Sequence, residues 1–354
     1  MSLMPAPHQK GRGAQINPAN PYHRLRYTEE PQLADLPPEE AGRTEYTEVY
    51  PKSFLNKIDS PDIGMGFSMN PYQGCEHGCV YCYARNTHPY WGYSAGLDFE
   101  QQILVKKDVA GLLEKRLRDP KWSASPIMLS GNTDCYQPAE KTYRLTRAVL
   151  EVLWKYRHPV GIITKNKLIL RDLDLLTKLA EHRLLKVSIS LTTLDETLRR
   201  SLEPRTSSVD GRLQAIEELS DAGVPVNVMA APIIPGLNEQ EIFELARESA
   251  ARGARSINYT MVRLNGDVAE IFADWLAKTF PDRKEKVLNK IRSCHGGQLN
   301  DSRFGKRMVG EGRYAEIIRS QFQLARRKFF AGRTMPEYDC ELHLLHKSDQ
   351  LRLF

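Results

Sequence analysis

The segment Gly74-Cys75-Glu76-His77-Gly78-Cys79-Val80-Tyr81-Cys82-Tyr83 sets three cysteines within eight positions, in the spacing C-x3-C-x2-C. Thiolates this close can converge on one metal centre from a single tight loop, and Gly74 and Gly78 relieve the backbone crowding. The run before them, 65–72, reads as a β-strand, which puts the loop at a strand's C-terminal end. Iron–sulfur clusters normally take four thiolates. Three, with no obvious fourth, leave one iron open to a small molecule, and an open position is what a catalytic metal site needs. A structural zinc site is the alternative, with His77, Cys294, Cys340, His343 or His346 as fourth ligand.

Outward from the loop, short β-branched runs alternate with amphipathic stretches. A helix is expected over 105–118. Strand–helix pairs follow at 126–133 with 139–156, 160–165 with 170–182, and 185–192 with 195–222. Two more stand at 225–231 with 239–252 and 256–264 with 268–280. Six βα units joined by short turns point to the α/β class: a parallel sheet with outer helices, curled into a partial (β/α)6 barrel of TIM type. We assign that barrel to 46–283. Before it lies an irregular arm (1–45), rich in Pro, Gly and Asn. After it come a helical, basic extension (284–333) and a tail (334–354).

The 354 residues are 41% hydrophobic and 27% charged, ordinary for a globular protein, with a formal net charge of +6. No run of 18 apolar residues stands in the sequence and the N-terminus lacks a secretory h-region, so a cytoplasmic protein without a membrane partner is expected. Six cysteines are too sparse for a disulfide scaffold.

With an aromatic residue, Tyr81, before its last cysteine, the Cys75, Cys79, Cys82 motif resembles the signature of the radical S-adenosylmethionine superfamily. The resemblance covers about 60–283. It implies a 4Fe–4S cluster on those cysteines, whose open iron chelates S-adenosylmethionine, and reductive cleavage to a 5′-deoxyadenosyl radical. It also implies a reducing partner of flavodoxin or ferredoxin type.

A zwitterionic cofactor with a sulfonium needs cations, hydroxyls and carbonyls at the strand ends. Ser130-Gly131-Asn132-Thr133-Asp134 supplies candidates in Asn132 and Asp134 for the methionine ammonium. Lys165 and Ser190, at the ends of the third and fourth strands, match positions that hold the cofactor carboxylate and ribose in the spore photoproduct lyase branch, with Arg205 a further candidate. Ile234, Gly236 and Glu239 resemble an adenine-contacting motif, and Tyr81 would meet adenine mainly through its backbone.

The string from Tyr72 to Arg85 is similar to DNA repair photolyase-like enzymes, relatives of spore photoproduct lyase, and with the arm and tail included the chain resembles a little-characterised bacterial family. Where spore photoproduct lyase carries a hydrogen-donating cysteine this chain has Gly131, which leaves Cys135 as the candidate donor. Nucleic acid is the expected substrate; a peptide or small molecule, or a non-catalytic metal-binding module, are the rival readings. Residues 301–333 hold nine Lys or Arg against three acids. Arg303, Lys306, Arg307, Arg319, Arg326, Arg327 and Lys328 are interleaved there with Phe304, Tyr314, Phe322, Phe329 and Phe330, a pattern that suits phosphates and bases. The terminal Gln350-Leu351-Arg352-Leu353-Phe354 resembles the peptide by which bacterial repair proteins dock on the sliding clamp.

Overall fold

The structure, a computed structural model, describes residues 9–22 and 43–346. The clamp-like pentapeptide lies outside them. A small sheet has the order β1-β5-β4, built from β1 (Glu45–Val49), β4 (Tyr72–Gln73) and β5 (Gln102–Lys106). The large sheet contains β2 (Leu55–Lys57), β3 (Phe67–Met69), β6 (Ile127–Leu129) and β7 (Val160–Thr164). It continues with β8 (Leu185–Ser190), β9 (Val226–Ile233) and β10 (Ser256–Met261). Its order is β10-β9-β8-β7-β6-β3-β2. Every pairing from β3 to β10 is parallel and only β2 runs antiparallel, at one edge. The two edges do not pair, so the barrel is partial and open, as expected.

Alternation along each strand produces the layers. Ile127, Leu129, Val160, Ile162, Val187, Ile189, Val226 and Val228 are buried beneath outer helices that bring Leu150, Leu153, Leu176, Leu179, Ile216 and Leu245. Each such side chain contributes about 1.5–3 kcal/mol by leaving water. The other phase, with Met128, Gly161, Ile163, Ser188, Asn227 and Met229, faces an inner cavity.

Several elements differ from expectation, among them the following. The strand 65–72 stops at Met69, because Pro71 has no N–H to continue the ladder; the chain then crosses to β5 as β4. The helix over 105–118 begins only at Val109. Its expected first turn instead belongs to β5, since a short apolar run such as Ile103-Leu104-Val105 serves either structure. The helix over 195–222 is two, Glu196–Leu202 and Val209–Asp221. Pro204 disfavours helical backbone at Glu203 and lacks a donor of its own.

The C-terminal helix Arg313–Phe329 covers the β10 edge. Phe322 stacks on Tyr259 (4.2 Å between centroids, 9° between planes), and Arg326 Nε donates to the Ile257 carbonyl (2.7 Å). Arg333 Nη1 donates to the carbonyls of Ala250 (2.8 Å) and Ala254 (2.7 Å). These cations satisfy backbone acceptors at and beside an open edge. No described helix is long and apolar enough to cross a membrane.

Candidate active site

The cysteine loop leaves β4 and is tied down on every side. Cys75 N donates to Phe99 O (2.8 Å), Val80 N to Leu202 O (3.1 Å), and Glu76 N to Gln137 Oε1 (3.0 Å). Arg85 Nε returns to Cys79 O (2.9 Å), while Arg85 Nη2 meets Glu100 Oε1 at 2.5 Å, both side chains fully buried. Glu100 also accepts from the amides of Gly13 (3.0 Å) and Ala14 (2.7 Å). The first stretch of the arm is thereby laced to the loop. A Cβ at Gly13 would stand 1.6 Å from Gly78 O, and one at Gly78, where φ is +68°, would stand 2.8 Å from Glu100 Oε2. Only glycine permits this approach of two backbones.

Cys75, Cys79 and Cys82 line one cleft at the C-terminal ends of the strands. They share it with His77, Tyr83, Gly131, Asn132, Asp134, Lys165 and Ser190. The expected residues Asn132, Asp134, Lys165 and Ser190, from three different strand ends, therefore do meet the cysteines. Burial pushes the Cys75 thiol well up and Cys79 up to about 12. Metal binding displaces such protons, since thiolate is the ligand.

The donor set suits a cluster better than one zinc ion. His77 Nδ1 lies 3.3 Å from Asp134 Oδ2 and its Nε2 lies 3.3 Å from Asn166 Nδ2, so both ring nitrogens are engaged. Among the described residues no three His, Cys, Asp or Glu side chains already converge on a single-ion position. Cys294 and Cys340 lie outside the cleft. Three cysteines lining one cleft fit a 4Fe–4S cluster, which they would hold through three of its irons, leaving one iron for a small molecule.

Burial alone would raise the Asp134 carboxyl. His77, the Lys165 amide (2.8 Å) and the Thr164 hydroxyl (2.7 Å) outweigh it and hold the group at about 2. Asp134 thus fastens β7's end to the cleft as an ionised wall. For Lys165, burial works against its charge, yet Cys79 and Glu203 prevail and raise it. The cleft therefore carries a firm cation beside its thiols. Backbone strain collects here as well: Ser130 has φ +84°, beside Gly131 at +123°. A non-glycine residue in that region costs about 1–3 kcal/mol and commonly marks a functional site.

Other expected residues lie elsewhere. Arg205 turns from the cleft to Glu76 (3.1 Å) and Thr44 (3.2 Å). Ile234 does not line the cleft but is fully buried in an apolar cluster with Cys79 and Tyr81, and Gly236 donates to Glu239 Oε2 (2.7 Å) against the Lys284–Ser293 helix. Cys135 sits in the core with no exposure. Its amide is held by Ser130 Oγ (2.9 Å), and it does not line the cleft. A buried thiol among apolar side chains is a small hydrophobe.

Sequence reasoning missed Glu203 and Arg212. The break at Pro204 turns Glu203 inward, where it is fully buried and accepts from Arg212 Nη2, Tyr81 OH and Thr192 Oγ1 (2.7 Å). Burial would raise this carboxyl, but Arg212 and Lys165 hold it at about 2. Tyr81 is thus fixed by its hydroxyl from behind the cysteine loop. The legible signal was Pro204 within a predicted helix.

A family model described as the Radical SAM superfamily matches residues 69–248. An uncharacterized protein of Mycobacterium tuberculosis is 35% identical over 240 residues, 67% of this chain and 71% of its own length. A radical SAM Nalpha-GlyT isomerase of Pseudomonas phage M6 is 23% identical over 223 residues, 62% of this chain and 44% of its own. Among solved structures, a mutant of spore photoproduct lyase superposes with TM-score 0.60 at 19% identity, covering 81% of this chain and 80% of that one. Another mutant, with bound AdoMet and dinucleoside spore photoproduct, gives 0.58 at 18% over the same shares. At such identities the likeness is one of fold.

Proposed function

This chain belongs to the radical SAM superfamily, and from that premise we propose that Cys75, Cys79 and Cys82 hold its 4Fe–4S cluster for chemistry on a nucleic acid. The family makes the chain a radical SAM enzyme whose cofactors are that cluster and S-adenosylmethionine. When bound, they supply a one-electron cleavage of the sulfonium C–S bond that yields a 5′-deoxyadenosyl radical. The observation that carries the assignment is one cleft that brings three cysteines outside any disulfide together with polar strand ends.

The remaining residues position and shield. Lys165 offers its cation to the cofactor carboxylate, Asn132 a carbonyl to the ammonium, and Ser190 a hydroxyl to the ribose. Asp134 and His77 tie the cysteine loop to the end of β7. Arg85–Glu100 and Arg212–Glu203 lock the loop from behind and exclude water there. Cys135 keeps a reading as hydrogen donor only if the Ser130–Asp134 loop opens toward it.

Nucleic acid as substrate is supported by the spore photoproduct lyase neighbour, described with a dinucleoside photoproduct. The test is anaerobic reconstitution with iron and sulfide, then reduction in the presence of deuterated oligonucleotides. Deuterium in 5′-deoxyadenosine is expected; cleavage of the cofactor with no transfer from any nucleic acid would overturn the substrate reading. The tail reading is tested by capture of the sliding clamp on a peptide of the last five residues.

A further inference from the structure

Arg263 follows β10 at the mouth of the barrel. Its neighbours hold it there: Val262 N donates to Ile233 O (2.9 Å) and Leu264 N to Leu299 O (3.0 Å). The residue is half-buried, and among the described residues its guanidinium makes no hydrogen bond or ion pair. A partly desolvated cation without an acid is costly, because it gives up water for nothing.

Its surroundings are specific. Tyr83, Arg307 and Asp62 lie within electrostatic reach. Tyr83 lines the cysteine cleft, is 50% exposed, and donates its hydroxyl to Gly131 O. Arg307 is anchored by Asp62 Oδ2 (2.5 Å) and Ser60 Oγ (2.5 Å), and stands 4.5 Å from the centroid of the Phe304 ring, itself 56% exposed. Asp62, the acid in reach, is already occupied by Arg307 and by the Gly305 amide (2.8 Å). Burial and the like charge of Arg307 both work against the Arg263 cation, and a bound anion would offset both. Cations set between exposed rings at a cleft mouth are what a nucleotide strand requires, phosphate on charge and base on ring.

We propose that Arg263, with Tyr83 and Arg307 in electrostatic reach and Phe304 against Arg307, binds the phosphodiester adjoining the nucleotide that enters the cysteine cleft. This rests on the nucleic-acid reading above. In the basic extension, by contrast, Arg303, Lys306, Arg326 and Arg333 are engaged with carboxylates or backbone carbonyls.

The decisive measurement uses the unaltered full chain. Binding of thymidylyl-thymidine with its natural phosphodiester is compared with that of the same dinucleoside carrying a neutral methylphosphonate linkage. The neutral ligand should bind about ten- to a hundredfold more weakly, as loss of a charge-assisted hydrogen bond implies. Arg263→Gln should erase this preference and lower the salt dependence of oligonucleotide binding by about one phosphate contact. Arg247→Gln, on the outer helix Ile242–Ala251, should change neither. Equal affinity of the unaltered protein for both linkages overturns the site while leaving the nucleic-acid reading standing. Binding of neither linkage, nor of any longer oligonucleotide, overturns that reading and the site with it.

Discussion

Behind the cysteine loop the ion pairs are buried, Arg85 with Glu100 and Arg212 with Glu203, all at 0–1% side-chain exposure. In the C-terminal extension the cations stand in water: Arg303, which meets the covered Asp301 and the half-buried Glu311, and Lys306, which meets Glu311, are both more than half exposed. Both regions are dense in charge, but only the first uses it to hold a geometry. A buried pair cannot be opened without stranding a charge in low dielectric, whereas an exposed pair exchanges its partner for solvent. Rigidity is concentrated where three sulfurs must keep their spacing.

The largest effect should come from the loop itself. Replacing Cys75, Cys79 or Cys82 by Ala should reduce iron retention and 5′-deoxyadenosine formation to background, read by metal analysis and chromatography. A variant that keeps a full cluster would remove that cysteine from the assignment.

Glu203→Ala should come next, losing about 3–5 kcal/mol because Arg212 is left buried and unpaired; urea denaturation measures it. The same carboxyl makes a pH prediction. It is held at about 2 in the fold against an ordinary 4.5. Its contribution is therefore fully present above pH 4.5 and lost as the pH falls towards 2. Glu203→Gln should flatten that part of the stability profile, and an unchanged profile would break the contrast between the two regions.

Gly13→Ala, which drives a methyl group into Gly78 O, should cost about 1–3 kcal/mol as overpacking does. It should also raise proteolysis of the arm. Smallest of all, Lys306→Ala should leave the denaturation midpoint where it is, since the lysine is more than half exposed and Glu311 keeps Arg303 as its partner. A loss as large as that of Glu203→Ala would show that exposure does not separate the two regions.

Much of the fold was legible. Strands β6 to β10 lie where β-branched runs predicted them, because alternating burial on a parallel sheet writes itself into the residue pattern. The loop at a strand end, and the meeting of Asn132, Asp134, Lys165 and Ser190 with the cysteines, followed from the rule that strand ends converge. Less legible were the pieces decided by competition. Ile103–Val105 serves helix or strand equally well, and β1 is a short strand that pairs only because β5 offers an edge. The basic stretch was misread in part: Arg326 and Arg333 cap backbone carbonyls, and Phe322 packs on Tyr259. Charge in a sequence does not disclose whether its partner is a phosphate or the protein's own carbonyl oxygen.

The sequence by itself determined the cysteine spacing, the βα rhythm and the family, because thiolate ligation and strand burial impose local patterns that neighbouring residues must satisfy. Only the tertiary structure decided that Glu203 and Arg212 brace the loop, that Arg205 and Cys135 turn away from the cleft, and that Arg263 stands at its rim without a partner among the described residues. Those outcomes depend on which distant side chains share a small volume of low dielectric, and such encounters leave no periodic trace along the chain.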